Sequence, residues 1–303
     1  RSLSDILDQS SDVSTGADEK WKNSEEKNTL EDTDTEHEAI IGFPQFLLHV
    51  LRCMLKDMHH QDVEPGFLHK DKLLAAFRNL TKDGVDSEIV QAFFHWLWDA
   101  RSAWDEWGVK WRGEGASREL DLFKIDIDKD GIIRGDWANH PTPESQLQAL
   151  FYHTSDPEQQ WWIAPFLFHA VKQKEDFESR STLLDIEEAI AAARTGERRR
   201  SFQEVTWALM EDQSQPARFD SEYLKTYLED GNYGTGYAHY WFQRLEYQLW
   251  MQYKIGGEWA QDVGESATRI DGYRIRARRS VEHIHPQTPG EEFRELDDSV
   301  LNS

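Results

Sequence analysis

The chain is poor in residues that staple or anchor a protein. Its 303 residues include one cysteine, Cys53. That excludes an intramolecular disulfide and a cysteine-rich zinc site, and fits a reducing compartment. No apolar run approaches the roughly 18 residues of a membrane span. The longest candidate, Trp161 to Val171, is interrupted by Pro165 and His169. The opening RSLSDILDQSSD lacks the apolar h-region of a secretion signal, so a cytoplasmic protein with no membrane contact is expected. Positive charge is also scarce: 34 lysines and arginines face 57 acids, a net −23. Such a surface does not coat nucleic acid non-specifically. Any contact with DNA must come from a local basic patch. The length suits about two ordinary domains and a core that needs no staples.

What is present divides into three parts. Residues 1–38 hold twelve acids against Arg1, Lys20, Lys22 and Lys27. So little apolar surface cannot offset the entropy of ordering the chain, so this reads as an acidic, disordered linker. An acidic strand that mimics DNA and blocks a basic site is the functional alternative, although charge runs are mostly solvated faces.

From Ala39 the composition changes, and residues 39–262 read as a helical domain. Leu47, Val50, Leu51, Met54 and Leu55 share one helical face. Phe93, Leu97, Ala100, Trp104 and Trp107 recur at steps of 4, 3, 4 and 3, with Asp86 or Ser87 as cap and Gly108 as terminator. Asp156-Pro157 reads as a cap followed by a first-turn proline. Ser201 and Glu204 form a capping-box pattern before Val205 and Leu209, and Gly196 is a plausible stop for the run before it. A last helix, from about Tyr237 to Lys254, is expected to bury Phe242, Leu245 and Leu249. Strand-like alternation is almost absent as far as residue 256, so an all-helical unit is expected. No repeat of fixed period supports a solenoid. The thirteen tryptophans read mainly as core knobs. Trp96/Trp98 and Trp161/Trp162 cannot all face one interior, which leaves room for a base-stacking groove.

Residues 263–303 differ again. TRIDGYRIRARRSVEHIHPQ, from Thr268 to Gln287, has the alternation and β-branched residues of a strand. It is a basic island, with Arg269, Arg274, Arg276, Arg278 and Arg279 against Asp271. Local arginine beside histidines suggests a phosphate-facing, DNA-binding surface.

Two motifs could carry chemistry. In IDIDKDGIIRGDW, Asp126, Asp128, Asp130 and Gly131 open like a calcium loop, and Ile133 stands where such loops carry an aliphatic residue. Position twelve is Trp137 rather than a bidentate glutamate, and Asp136 is one residue early. A polar turn between short strands uses the same residue types. The second motif is Val281-Glu282-His283-Ile284-His285-Pro286-Gln287. An imidazole there can deprotonate water near neutral pH. An adjacent carboxylate can help to hold a divalent cation.

SVEHIHPQ resembles the [D/E]-H-I-x-P-Q signature that opens the HNH nuclease domain of GmrSD-type, modification-dependent restriction endonucleases. YLKTYLEDGNYGTGYAHYWFQRLEYQL is similar to the helical segment that leads into that domain. The resemblance implies that His283 is the general base and Glu282 the metal-side carboxylate. His285 occupies a variable position and takes no role. The implied cofactor is Mg²⁺ or another divalent cation. The implied partners are DNA and an N-terminal ParB-like nucleotide-hydrolysing domain, although no D-G-Q-type motif of that domain is visible. Family members continue from a segment like LDDSVLNS into a G-N-L strand and a helix, so residues beyond Ser303 are expected to complete the metal site. The expected fold is therefore mainly α: a multi-helix domain followed by the first strand of an incomplete ββα-metal, HNH-like unit. As it stands this fragment is expected to be inactive. The alternative function is a non-catalytic helical scaffold that binds a partner, or couples a nucleotide-hydrolysing domain to its effector. A third is a calcium-dependent interaction module.

Overall fold

The computed structural model describes residues 37–63, 68–80, 84, 86–113, 115, 118–124, 126–127, 133–134, 140–155, 159–195, 201–211, 219–229, 238–256 and 270–277. In chain order these form β1 (His37–Ala39), α1 (Phe43–Asp57), α2 (Leu73–Leu80), α3 (Ser87–Trp107), β2 (Val109–Arg112), β3 (Glu119–Leu122), β4 (Asp126–Ile127), β5 (Ile133–Arg134), α4 (Pro143–Thr154), α5 (Ile163–Gln173), α6 (Ser179–Thr195), α7 (Phe202–Ala208), α8 (Ser221–Glu229) and α9 (His239–Lys254). The protein is mainly helical. The acidic segment 1–36 lies outside the described residues.

Helix starts follow local chemistry. The Asp86 carboxylate accepts the Glu88 N–H at 2.8 Å and opens α3. Thr142 and Ser145 cap each other reciprocally at α4, with Pro143 in the first turn. Ser201 and Glu204 do the same at α7. The most apolar helix, α5, does not begin at Asp156-Pro157. It starts at Ile163 after a turn that holds Trp161 and Trp162, while residues 156–158 lie outside the described set. Ile163, Ala164, Phe166, Leu167 and Phe168 are all buried. A helix apolar on every side belongs in the interior, and α5 packs against α1, α3, α6 and α7. Both Trp161 and Trp162 are buried there. Among the described tryptophans only Trp98 is exposed, one turn after the exposed Phe94.

One charge is built into this core. Arg52, on the inward face of α1, has no exposed side-chain surface. Its guanidinium meets both carboxylate oxygens of Asp62 at 2.8 and 2.9 Å, and donates to Thr206 Oγ1 at 2.9 Å and to the Gln203 carbonyl. The Trp161 and Trp207 rings stand 5.0 and 5.5 Å from it. A buried charge survives only with such full pairing. Removing one partner typically costs about 3–5 kcal/mol. One turn earlier, His49 is fully buried, and neither ring nitrogen has a hydrogen-bond partner among the described residues. Burial, assisted by the Arg52 charge, pushes its pKa down to about 3.

The expectation of an all-helical unit is corrected here. Strands β1, β2 and β3 form a sheet in that order, and β2 pairs antiparallel with β3. The register sets Val109 and Trp111 opposite Leu122 and Leu120, and Lys110 and Arg112 opposite Asp121 and Glu119. One face is thus apolar and the other charged. The buried Lys110 ammonium closes the end of α3, donating to the carbonyls of Asp105, Gly108 and Phe123 at 2.9, 2.8 and 3.0 Å. Its charge also suits the negative end of the helix dipole. Burial lowers its pKa to about 8. Gly108 serves α3 by its size, because its φ is an ordinary −85°. A Cβ there would stand 2.5 Å from the Trp104 indole. Residues 126–127 and 133–134 pair antiparallel, the arrangement expected of a polar turn between short strands. Asp128, Asp130, Gly131 and Asp136 lie outside the described residues.

Helix α9 is rotated from its expected setting. Tyr240, Gln243, Tyr247 and Trp250 are buried, whereas Leu245 and Leu249 are 56% and 45% exposed. The cause is polar. Glu187 on α6 receives the Tyr240 hydroxyl at 2.6 Å and Arg244 Nε at 2.6 Å, which turns that side inward.

Gly108→Ala should destabilise the protein by about 1–3 kcal/mol through overpacking, measured as a lower denaturant midpoint with an unchanged helical spectrum. Acid should destabilise it over a defined window. His49 stays neutral in the fold, while in the unfolded chain it takes up a proton near pH 6.5. Its contribution is therefore full above about pH 6.5 and is lost as pH falls towards about 3. His153, held down to about 4 by burial, adds to the same limb. Midpoints at pH 7, 5.5 and 4 should fall in that order, and His49→Met should make the decline shallower.

Candidate functional site: the cradle of the basic segment

The sequence places its strongest chemical motif directly after the basic island, so the setting of that island decides what the motif is attached to. Only residues 270–277 of it are described. They begin with a helical turn at Ile270 and Asp271 and continue as an extended segment that joins no sheet ladder among the described residues. The strand expected from Thr268 onward is to that extent replaced by a segment held by side chains. Trp250 Nε1–H donates to the Ile270 carbonyl at 3.1 Å. Lys254 pairs with Asp271 at 2.7 Å, and this hydrogen bond lowers the Asp271 pKa. The Tyr273 hydroxyl donates to Glu246 at 2.6 Å. The Gln146 amide donates to the Tyr273 carbonyl at 2.7 Å and accepts the Ile275 N–H at 3.0 Å. Gln243 Nε2 donates to the Arg276 carbonyl at 3.2 Å.

Gln146 thereby offers the same donor and acceptor that a neighbouring strand would offer. Gln146, Ile275 and Gln243 are buried, so these bonds replace water that is not there to compete. The contacts also give the direction of travel. Residues 270–271 lie at the C-terminal end of α9 and Arg276 lies by Gln243 near its start, so the segment runs antiparallel to α9.

The charged face of the sheet completes the cradle. Arg274 Nε stands 2.9 Å from Glu119 and its Nη2 3.3 Å from Asp121, and its Nη1 donates to the Leu120 carbonyl at 3.2 Å. Arg276 also pairs with Glu119, and Arg112 reaches Asp121 at 3.4 Å. Three guanidinium groups thus share two carboxylates. The five arginines do not have one role. Arg274 is only 9% exposed and is a strut between the segment and β3. Arg276 is 60% exposed and presents its charge outward. Arg269, Arg278 and Arg279 lie outside the described residues, as do Glu282, His283 and His285.

The anchorage crosses the expected domain boundary. The described part of residues 263–303 packs into the helical unit, with Ile275 in its core. Among the described residues no group of three or more histidine, cysteine, aspartate or glutamate side chains could hold a metal ion. Glu119 and Asp121, the carboxylates that meet Arg274, are committed to arginines and offer no open site for a divalent cation. Also among them, no helix is long and apolar enough to cross a membrane. Sequence reasoning missed Gln146, Gln243, Glu119 and Asp121. The available signals were two glutamines on buried helix faces and the four-residue alternations of β2 and β3.

No family model, curated protein or solved structure matches the chain.

Gln146→Leu should leave the Tyr273 carbonyl and Ile275 N–H unpaired, at about 1–3 kcal/mol for the buried groups. Amide exchange at Ile275 should accelerate while the α5 amides stay protected. Gln146→Glu keeps an acceptor for Ile275 but loses the donor to Tyr273, so its effect on Ile275 should be smaller.

Proposed function

We propose that this chain is the helical middle and the opening of the nuclease domain of a modification-dependent DNA endonuclease of the GmrSD type. The reading is carried by Glu282-His283-Ile284-Pro286-Gln287 standing just after a segment fastened to a helical body. His283 follows Ala277 by six residues, a reach of at most about 20 Å in a fully extended chain. The cradle therefore fixes the point from which the chain departs towards that motif. In this proposal His283 takes the proton of the water that attacks phosphorus, and Glu282 faces a divalent cation. Arg276 and the neighbouring arginines supply positive charge for the DNA backbone in an otherwise acidic molecule.

The second reading is a non-catalytic connector that couples a nucleotide-hydrolysing domain to its effector. The observation favouring it is the cradle itself, since residues 270–277 are tied to α4, α9 and β3 at once. Movement among those elements would be passed to whatever follows Ala277.

The protein extended beyond Ser303 should cleave modified DNA with a divalent-cation requirement, and His283→Ala should lower cleavage by about 10²–10⁴-fold with an unchanged denaturation curve. His285→Ala should be milder. Cleavage that survives His283→Ala would overturn the assignment, and a well-folded extended protein with no cleavage of any DNA would favour the connector.

A further inference from the structure

The aromatic residues of α3 do not all serve the core. Phe93, Trp96 and Trp104 are buried. Phe94 and Trp98, one turn apart, are 63% and 76% exposed. At 3.6 residues per turn, Ser87, Gln91, Phe94, Trp98, Arg101 and Asp105 all lie within about 40° of one direction. They form a strip along nearly the whole 21-residue helix. The charges of the strip cancel, because Arg101 Nε meets Asp105 at 2.7 Å. Leu74 on α2, 67% exposed, stands one turn from Phe77, whose ring meets Phe93 edge-on at 4.9 Å. Exposed apolar surface therefore continues beside the strip. Large exposed aromatic side chains with little net charge around them have the composition of an interface centre rather than of a wet helix face.

We propose that this strip is the interface with a second copy of the chain, where α3 packs antiparallel on α3 about a two-fold axis level with Trp96. Charge and self-complementarity identify the occupant. A chain of net charge −23 repels its own copy over most of its surface, and this strip carries no net charge. In an isologous pair one patch meets itself, so each residue faces the one equally far beyond the axis. Phe94 then meets Trp98 of the second copy, and Trp98 meets Phe94 of the second copy. Gln91 faces Arg101, offering its amide carbonyl to the guanidinium. Ser87, at the positive end of the helix dipole, faces the carboxylate of Asp105. A parallel pair would instead set Arg101 against Arg101 and Asp105 against Asp105, so the charges also choose the antiparallel arrangement. The strip is about 27 Å long and one helix wide. It falls short of the ~800 Å² that each partner gives to a standard interface, so the dimer is a weak one that forms as the protein is concentrated. The proposed function plays no part in this inference, which uses neither the cradle nor His283.

Sedimentation of the purified chain from micromolar to millimolar concentration should show monomer passing into dimer. Trp98→Ser, which counts twice in a symmetric pair, should raise the dissociation constant by about tenfold or more. Its denaturation curve should be unchanged, because the ring is exposed. Thiols placed on the strip report its register cleanly, since the native Cys53 is buried. Gln91→Cys combined with Arg101→Cys should give a disulfide-linked dimer on mild oxidation, whereas Arg101→Cys alone should not. A chain that stays monomeric at millimolar concentration would overturn the proposal, as would a dimer that Trp98→Ser leaves intact. So would a paired-cysteine variant that forms no covalent dimer, or one that Arg101→Cys alone matches.

Discussion

A guanidinium sealed from water sets the terms for the helical body. Arg52 is held by Asp62, Thr206 and the Gln203 carbonyl and lies between two indoles. These partners come from the turn after α1, from the turn before α5 and from α7. None of them can shift far without stranding a charge in a medium that solvates it poorly. The pairing thus specifies where those pieces meet, while apolar burial around α5 supplies the larger driving force. Glu187 has the same kind of role further along: one buried carboxylate, met by Tyr240 and Arg244, sets the rotation of α9.

That rotation has a consequence at the other end of the chain. With Tyr240 inward, Gln243 and Trp250 are turned towards residues 270–277, and both bind its backbone. Gln146 and the carboxylates of β3 hold the remaining side. An extended segment with no strand partner among the described residues needs its amides and carbonyls satisfied in some other way, and here glutamine side chains contribute. The small sheet is therefore more than an appendage to the helices. Its charged face, Glu119 and Asp121, is the surface on which Arg274 and Arg276 are fixed.

In the proposed endonuclease, the cradle would fix the point at which the chain leaves Ala277, and the Glu282-His283 motif follows that point in the sequence. The arginines show how differently two charges of one segment can be placed. Two neighbours in one island, Arg274 and Arg276, share a carboxylate partner, yet one is an internal strut and the other faces solvent.

The sequence by itself determined that the fold is mainly helical, where most of the helices lie, and how two of them begin. Caps at Asp86 and Ser201 and the apolar spacing of α1 and α3 act within a few residues, so they are legible without tertiary knowledge. It also singled out the Glu282-His283 motif as the place to look for chemistry, a position outside the described residues. Three things were decided only in three dimensions. The strands β2 and β3 are four residues each, too short for alternation to stand out until they pair. The inward face of α9 was assigned to leucines because hydrophobicity ranks them for burial, but a buried carboxylate on α6 selected the tyrosine face instead. The cradle of residues 270–277 was invisible because its members, Gln146, Gln243 and Glu119, stand at least 33 positions away from the backbone and arginine groups they bind. Local patterns report what a residue prefers among its neighbours in sequence. Which donor meets which acceptor depends on long-range packing, which no local spacing records.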